Sequence, residues 1–343
     1  MLTDKAISVV VTCYRDEGSI LELLRRLSHT MDRITPNWEV IYVNDDSPDN
    51  AESVLLEQAR QNDKLTVISH SRNFGAQVAF RTGIMQAVGD AVIIMDGDLQ
   101  DPPELIEEFV RRWLEGYAVV YGIRAKRHET LIRNIGYMVF YRILARIAYI
   151  PIPLDAGEFS LMDRAVVDVI LECGERDLLI RGLRAHAGFS QTGIPFERPR
   201  RYAGDSTKGL LAYMMWVIKS FTSYSLAPLR VIVWAAILMA LLLGGLMLTY
   251  GAAYFGGGES PKGFPTLLFL TLGIGTVIMI SLGVIAEYLG RLFVEVKRRP
   301  QTVIRTLVND HRRNSRRWLG LPRPMAERTE GTDLQDMTGR HDQ

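Results

Sequence analysis

The sequence contains few cysteines and none of the common short motifs for zinc, dinucleotides or P-loop phosphates. Its two cysteines, Cys13 and Cys173, have no C-x-x-C spacing, which excludes a disulfide framework and is compatible with a cytosolic protein. The six histidines show no H-x-H or H-E-x-x-H spacing, so no zinc-site pattern is present. No G-x-G-x-x-G follows the first predicted strand and no P-loop occurs, which excludes both nucleotide-binding signatures.

The sequence also lacks net charge and an N-terminal targeting segment. Its 40 Lys and Arg residues balance 39 Asp and Glu residues, and 48% of the chain is hydrophobic, which excludes intrinsic disorder. Without a strongly basic balance, no nucleic-acid partner is expected. The first residues contain neither a basic segment nor a long apolar run, so we expect no signal peptide. A mean hydropathy of +0.05 beside 23% charged residues indicates that apolar residues are concentrated in part of the chain.

Two long uncharged stretches, residues 231–254 and 263–286, lie in the second half of the chain. Each has 24 residues, which exceeds the roughly 20 that a helix needs to cross a bilayer. Buried core helices are the alternative, but their apolar residues usually form a stripe, whereas here they occur all round. Residues 255–262 are too short for a domain, so the two spans are predicted to form a transmembrane hairpin.

Basic residues flank this hairpin on both outer sides. They are Arg198, Arg200, Arg201, Lys208, Lys219 and Arg230 before it, and Arg291, Lys297, Arg298, Arg299 and Arg305 after it. The positive-inside rule therefore predicts a protein of the cytoplasmic membrane with its larger domain and both termini in the cytoplasm. The same residues would attract anionic membrane lipids. Glycines at 244, 245, 273 and 275 would allow helix packing in a homo-oligomer.

The first 200 residues alternate between short apolar, β-rich runs and stretches of helical period. The predicted strands are residues 7–13, 40–44, 65–69, 91–95 and 118–121, and the predicted helices are residues 20–27, 51–61, 78–88 and 105–114. This alternation predicts an α/β fold with a doubly wound, mostly parallel sheet that is buried on both faces. Ligands of such sheets bind at the carboxyl ends of the strands.

An acidic turn follows the second predicted strand. It contains Asp45 and Asp46 and continues through Ser47 to Asp49, and its carboxylates could accept hydrogen bonds from a base or a ribose. Ser47 or Asp49 could instead cap the helix that begins at Ala51. That alternative would not account for both Asp45 and Asp46.

Three oxygen-bearing side chains, Asp96, Asp98 and Gln100, follow the fourth predicted strand. Alternate residues of an extended segment point the same way, so we expect these side chains to converge. Such a set suits a hard divalent cation, Mg2+ or Mn2+, which would also hold substrate phosphates. A solvated turn without a metal is the alternative interpretation.

Two groups of polar residues are candidate phosphate ligands, since guanidinium groups bind phosphate oxygens through a bidentate fork. One group follows the fifth predicted strand, and the other precedes the hairpin. The candidates are Arg124, Arg127, Arg133, Arg201, Ser206 and Lys208. The alternative for the second group is attraction to the membrane surface. For the neighbouring Arg200, this alternative and phosphate binding are equally favoured.

Taken in order, these motifs resemble those of the inverting family 2 glycosyltransferases of GT-A fold, specifically the polyprenyl-phosphate glycosyltransferases. The resemblance covers residues 7–303 and is nearest to the bactoprenol glucosyltransferases, with dolichyl-phosphate mannose synthase and undecaprenyl-phosphate aminoarabinose transferase as relatives. It rests on residues 9–17, 44–47, 71–75, 96–103, 157–164, 181–182, 203–205, 287–291 and 297–300. The sequence departs from the family at Glu158, where relatives more often carry Asp.

The resemblance implies a role for each group of residues. The nucleotide would be bound by Thr12, Tyr14, Glu17, Asp45, Asp46, Arg72, Gly75 and Asp96, and the metal on its diphosphate by Asp96, Asp98 and Gln100. Arg124 and Arg133 would meet the acceptor phosphate or the donor diphosphate. The catalytic candidates are Glu158 as a base or an acceptor-orienting carboxylate, Asp155 as the runner-up, and Asp98 on the metal. Glu158 could instead pair with Arg164 or cap a turn.

The implied activity is inverting transfer of a hexose, with glucose favoured, from a nucleotide-diphosphate sugar, with UDP favoured, to undecaprenyl or another polyprenyl phosphate. The alternatives are transfer of mannose or a modified aminopentose to the same lipids, and a non-catalytic membrane scaffold or flippase partner. The predicted organisation is a GT-A-like transferase domain (1–208), an interfacial amphipathic helix (209–228), the two-helix transmembrane hairpin (229–287), a basic cytoplasmic segment (288–324) and a mobile tail (325–343).

Overall fold

The structure is a computed structural model that describes residues 1–125, 156–175, 179–197, 227–255, 263–297 and 299–311. A sheet of eight strands forms its centre. The strands are β1 (Ile7–Cys13), β2 (Trp38–Asn44), β3 (Leu65–His70), β4 (Ala91–Asp96), β5 (Val119–Ala125), β6 (Ala156–Asp163), β7 (Gln191–Glu197) and β8 (Ile304–Val308). The helices around it are α1 (Ile20–Ile34), α2 (Ala51–Gln61), α3 (Ala76–Gln86), α4 (Ile106–Leu114), α5 (Arg164–Glu172) and α6 (Ile180–His186).

The strand order is β7-β5-β6-β4-β1-β2-β3-β8. The four central strands β4, β1, β2 and β3 are parallel, as expected for strands joined by crossover helices. β6 is antiparallel to both β4 and β5, and β8 is antiparallel to β3. β7 is parallel to β5, so four of the seven strand pairings are parallel. The α/β fold is thus confirmed, with a mixed sheet in which β6 and β8 supply the antiparallel pairings.

Apolar side chains cover both faces of the sheet. Along β1, Val9 and Val11 belong to one buried cluster and Val10 to the other, since successive strand residues point to opposite faces. Helices α1, α2 and α4 pack on the first face, where Leu27 is buried, and α3, α5 and α6 pack on the second, where Phe80 is buried. The sheet therefore lies between two layers of helices, with its loops at the edges.

Strands β6, β7 and β8 were not predicted from the sequence. β7 contains Gly193 and Pro195, which are uncommon within strands, and β6 contains several polar residues. β8 lies in residues 288–324, which were predicted to be a basic cytoplasmic segment. The structure adds residues 304–308 of this segment to the sheet, where they cover the edge of β3.

Two long apolar helices, α7 (Ala227–Phe255) and α8 (Phe264–Lys297), follow the sheet along the chain. They coincide with the two uncharged stretches and contact each other. Within the described residues, Gly273–Lys297 is long and apolar enough to cross a membrane, and Val231–Leu242 is a shorter apolar stretch. Both helices are thus observed where they were predicted, but a hairpin with two membrane spans is not confirmed.

Candidate active site

The carboxyl ends of β1 to β4 lie at one edge of the sheet, because these strands are parallel. The loops that carry the predicted nucleotide and metal residues follow these ends. Two hydrogen bonds join the loops after β1 and β4: Gly97 N donates to Thr12 O at 2.9 Å, and Ser19 Oγ donates to Gly97 O at 2.6 Å. The fold therefore brings the predicted site residues of four separate loops to one edge.

A network around Asp49 joins the loops after β1 and β2. Ser47 Oγ accepts from Arg15 N at 2.7 Å and donates to Asp49 Oδ1 at 2.5 Å. Asp49 Oδ2 accepts from Glu17 N at 3.1 Å, and Glu17 Oε2 accepts from Asn50 N at 3.1 Å. Asp49 Oδ1 also accepts from the first backbone N–H of α2 at 3.2 Å, but the N-cap position of this helix is Asn50, so the N-cap alternative is not confirmed for Asp49. Glu17 is held between the two loops.

The carboxylate of Asp45 is buried and is used inside the protein. Its Oδ1 accepts from Phe74 N at 2.9 Å, its Oδ2 accepts from Gly75 N at 2.7 Å, and Oδ1 lies 2.7 Å from Nδ1 of His70. Gly75 has a φ of +96°, which glycine adopts without the steric cost of a side chain. Asp45 was expected to bind the nucleotide itself. Its contacts assign it to holding the loop 71–75.

The loop after β4 is a tight turn rather than an extended segment. β4 ends at Asp96, and Leu99 has a φ of +60°. Gln100 N donates to Asp98 Oδ1 at 3.0 Å, and Asp96 N donates to Asp101 Oδ2 at 3.2 Å. Asp98 is buried, whereas Asp96 and Gln100 are half-buried. The expected extended geometry is therefore wrong, because the backbone reverses across residues 97–99.

The oxygen atoms of the side chains on this turn suit a cation that is also bound by a phosphate group of a ligand. Within the described residues, no group of three or more His, Cys, Asp or Glu side chains is arranged to hold a metal ion. Asp96 and Asp98 nevertheless supply two carboxylates, and the amide of Gln100 follows on the same turn. Mg2+ is usually bound by one or two carboxylates together with substrate phosphates, and this donor set matches that pattern.

Strand β6 carries Glu158 to the same edge as Asp96. β4 and β6 are antiparallel with Ile94 opposite Ser160, so extending the register by two residues places Glu158 alongside Asp96. The side chain of Glu158 is 17% exposed, and its Oε1 lies 3.8 Å from Nε of Arg181. Its Oε2 is buried without a hydrogen-bond partner among the described residues. This oxygen is a candidate contact for a substrate group.

Two further arginines donate to backbone oxygens, Arg184 to β6 and Arg164 to the segment before β4. Arg184 is fully buried and donates to two backbone oxygens of β6 at 3.0 and 3.3 Å, and burial lowers its pKa to about 10. Arg164 Nε donates to a backbone oxygen just before β4 at 2.9 Å. The proposed pairing of Glu158 with Arg164 is therefore wrong, since the ion pair is with Arg181. No site role was assigned to Arg181 or Arg184 from the sequence, although Arg181 lies in one of the segments on which the family resemblance rests.

The structure describes the side chains of some of the remaining predicted site residues but not of the others. Thr12 is buried at the end of β1, Tyr14 is 39% exposed, and the guanidinium of Arg72 lies 4.1 Å from the ring centre of Phe74. Arg124 belongs to β5. Its side chain lies outside the described part of the chain, as do Arg127, Arg133, Asp155, Arg201, Ser206, Lys208, residues 209–226 of the predicted interfacial helix and the tail 325–343.

The chain matches known glycosyltransferases across the sheet and beyond it. The sequence profile of glycosyl transferase family 2 matches residues 8–171. The uncharacterized glycosyltransferase YkcC of Bacillus subtilis is 36% identical over 87% of this chain and 92% of its own length. The uncharacterized glycosyltransferase sll0501 of Synechocystis is also 36% identical, over 88% and 95%. The chain belongs to glycosyl transferase family 2.

This family 2 glycosyltransferase is also similar to a prophage bactoprenol glucosyl transferase homolog of Escherichia coli, which is 31% identical over 87% of this chain and 98% of its own. Among solved structures, glucosyl-3-phosphoglycerate synthase from Mycobacterium tuberculosis matches with a TM-score of 0.47 and 17% identity, covering 64% of this chain and 79% of that one. Family membership confirms the enzyme class that the motifs implied.

Proposed function

We propose that this enzyme transfers a hexose, with glucose favoured, from a UDP-sugar to undecaprenyl or another polyprenyl phosphate, with inversion at the anomeric carbon. The observation that carries the proposal is the meeting of the acidic loops after β1, β2 and β4 with Glu158 of β6 at one sheet edge. The apolar helices α7 and α8 in the same chain favour a lipid acceptor. Relatives named bactoprenol glucosyl transferase support the choice of sugar and lipid.

The donor nucleotide would bind to the loops after β1, β2 and β3. Carboxylates of Glu17 and Asp46 would accept hydrogen bonds from the base and the ribose, as carboxylates do wherever they face N–H and O–H donors. Tyr14, in the same loop as Glu17, is exposed, so its ring is accessible to a base. The loop 71–75, which Asp45 holds, would bring Arg72 and Gly75 to the same nucleotide.

Asp96 and Asp98, with Gln100, would hold Mg2+ or Mn2+ together with the donor diphosphate. Such a cation, when bound, supplies a Lewis acid and a template for the leaving diphosphate. The turn that carries these carboxylates is tied to β1 through Gly97. A turn that is already fixed needs little rearrangement when charge develops on the leaving group, which favours the reaction.

The acceptor phosphate needs little activation, because a phosphate monoester with a second pKa near 6 is mostly a dianion at neutral pH. Glu158 would therefore act as a base or as the carboxylate that orients the acceptor, with Asp155 as the alternative. The Oε2 atom of Glu158 is buried and has no hydrogen-bond partner among the described residues. This supports a direct contact between Glu158 and the substrate. The proposed phosphate ligands are Arg124, Arg127, Arg133, Arg201, Ser206 and Lys208.

The same proposal includes the membrane arrangement. Helices α7 and α8 would cross the cytoplasmic membrane as a hairpin within residues 229–287, with the domain 1–208 and both termini in the cytoplasm. Residues 209–228 would lie at the interface, and the segment 288–324 would return strand β8 to the transferase domain before the tail 325–343. The catalytic edge would then face a lipid phosphate that enters from the cytoplasmic leaflet.

The purified full chain in lipid nanodiscs tests this proposal. It would be incubated with undecaprenyl phosphate, Mg2+ or Mn2+, and a panel of UDP- and GDP-sugars, and the lipid product would be identified by mass. We expect UDP-glucose to add one hexose to the lipid phosphate. A product only with GDP-mannose or an aminopentose donor would favour the alternative donors, and absence of both product and nucleotide binding would favour a scaffold.

Variants at the sheet edge test the residue roles. We expect Asp98→Asn to lower kcat by about 10²–10³-fold, the usual cost of losing one group that stabilises the transition state. Glu158→Gln should lower kcat with an unchanged KM for the donor. Asp63→Asn, at an exposed position before β3, is the matched control and should behave as wild type. Full turnover by Asp98→Asn would contradict the metal role.

A further inference from the structure

Arg305 occupies a β-bulge at the edge of the sheet. β8 pairs with β3 so that Thr306 lies opposite Ser69, but Ile304 lies opposite His70, with a register shift between these two positions. Arg305 is therefore the extra residue that this pairing leaves out. Bulges change the direction of a side chain and occur often beside active sites.

The side chain of Arg305 reaches two carboxylates at the carboxyl end of β2. Its Nη1 lies 3.1 Å from Oδ1 of Asp46, and its Nη2 lies 2.7 Å from Oε2 of Glu52. Asp46 belongs to the proposed nucleotide loop, and Glu52 lies in the first turn of α2. Asp46 has a φ of +55°, in the left-handed region, which has a steric cost for residues other than glycine and which aspartate adopts more readily than most of them.

The backbone around Arg305 is fixed to the sheet domain at both ends. Val303 O accepts from Ser71 N at 2.9 Å, and Gln301 Nε2 donates to a backbone oxygen after α5 at 2.8 Å. Asn309 Nδ2 donates to a backbone oxygen of α2 at 2.7 Å. Since α8 ends at residue 297 and β8 begins at residue 304, a short link joins the apolar helix to this anchored segment.

The ion pairs of Arg305 are too exposed to contribute much to stability. The side chains of Arg305, Asp46 and Glu52 are 44%, 37% and 29% exposed, and exposed pairs contribute only about 0–1 kcal/mol. A guanidinium with one nitrogen on each carboxylate still restricts the geometry of both, because its donors form a rigid fork. The consequence of these contacts is therefore the position of Asp46.

We propose that Arg305 is a positioning residue of the donor site. It holds Asp46 in its left-handed conformation, so that the second carboxylate oxygen faces the ribose or base of a nucleoside diphosphate. It thereby connects the end of α8 with the nucleotide loop. The inference rests on the proposed function, because it depends on the assignment of Asp46 to the nucleotide.

The test measures binding of uridine diphosphate with Mg2+ to the full chain by calorimetry, for wild type, Arg305→Ala and Arg305→Lys. Arg305→Ala should weaken binding about tenfold, which corresponds to about 1.4 kcal/mol, and should raise the donor KM with little change in kcat. Arg305→Lys should restore part of the affinity, since an ammonium group can reach one carboxylate but not both. Arg112→Ala removes a similarly exposed arginine of α4 that also has two glutamate partners, and this variant should bind as wild type.

Hydrogen exchange of the backbone provides a readout that does not depend on nucleotide. In Arg305→Ala, exchange should rise in residues 44–52 and remain unchanged in the rest of the sheet. If Arg305→Ala binds uridine diphosphate as wild type while Asp46→Ala is weakened, only this inference is overturned. A general rise of exchange across the domain would also overturn it, since Arg305 would then be merely structural. A wild-type chain that binds no nucleoside diphosphate would overturn the proposed function and, with it, this role.

Discussion

The imidazole of His70 bridges Asp45 and Thr82 inside the sheet domain, with Nδ1 at 2.7 Å from Oδ1 of Asp45 and Nε2 at 3.1 Å from Oγ1 of Thr82. His70 is fully buried at the end of β3, and Asp45 is almost fully buried after β2. Because Asp45 also accepts from two backbone N–H groups of the loop 71–75, this histidine fixes the carboxylate that shapes the loop.

His70→Ala should therefore destabilise the protein and loosen the loop 71–75. The substitution removes the buried hydrogen bonds of His70 to Asp45 and Thr82, and the loss of a buried hydrogen-bond partner costs about 1–3 kcal/mol. Thermal unfolding of the full chain would show a lower Tm, and uridine diphosphate would bind more weakly. His29→Ala is the control, because His29 is exposed on α1, and its Tm should equal that of wild type. Equal Tm values for both variants would contradict the role of His70.

Gly97→Ala should disturb the turn that carries Asp96 and Asp98. A Cβ at this position would lie 2.7 Å from Thr12 O and 3.0 Å from Tyr42 Oη, so the backbone of the turn must move. Overpacking of this kind costs about 1–3 kcal/mol, and we expect both a lower Tm and weaker metal-dependent binding of uridine diphosphate.

A second glycine provides the matched control for this substitution. At Gly174 an added Cβ meets no described heavy atom within 4 Å, so Gly174→Ala should leave Tm and binding unchanged. If Gly97→Ala behaved in the same way, the turn would be more adaptable than its contacts indicate, and the proposal that this turn is already fixed before the donor binds would lose its support.

The central half of the fold could be predicted because the sequence patterns of its strands and helices are local. β1 and α2 have the predicted bounds, since a strand buried on both faces is a continuous apolar run and a helix has its own period. β6 and β8 could not be predicted in this way. Their places depend on pairing with β4 and β3, which lie far away along the chain, and a short run of residues does not specify its distant partner.

The candidate site was predictable in its place but not in its detail. Parallel strands direct their carboxyl ends to one edge, which fixes the location of Asp96 and Glu17 without knowledge of any contact. The turn at Leu99 was not predicted, because a residue other than glycine has a positive φ there and no local sequence pattern indicates such a turn. Arg305 was placed with the membrane flank because its partners, Asp46 among them, lie more than 250 residues away.

Arg184→Ala should be strongly destabilising. The guanidinium is fully buried and donates to two backbone oxygens of β6. Its loss removes both hydrogen bonds, while Glu158 O keeps the hydroxyl of Ser160 as a donor at 2.8 Å. A hydrogen bond from a charged group contributes about 1.5–3 kcal/mol, and the lost volume adds to the cost. Denaturant unfolding would measure the change, and Arg112→Ala on the exposed face of α4 should lie within about 0.5 kcal/mol of wild type. Similar unfolding free energies for the two variants would contradict the stabilising role of Arg184.

The thiol of Cys13 should be unreactive in the folded enzyme. Burial raises its pKa, and the negative charges of Asp16 and Asp49 raise it further, so the thiolate that reacts with electrophiles is suppressed. Burial also raises the pKa of Cys173, which is partly exposed. At about pH 8, near the ordinary thiol pKa of about 8.5, a maleimide should label Cys173 slowly and leave Cys13 unmodified, and both should label fully in denaturant. Mass spectrometry of a Cys173→Ser variant isolates Cys13, and labelling of its native state at the denatured rate would show that the end of β1 is open to solvent.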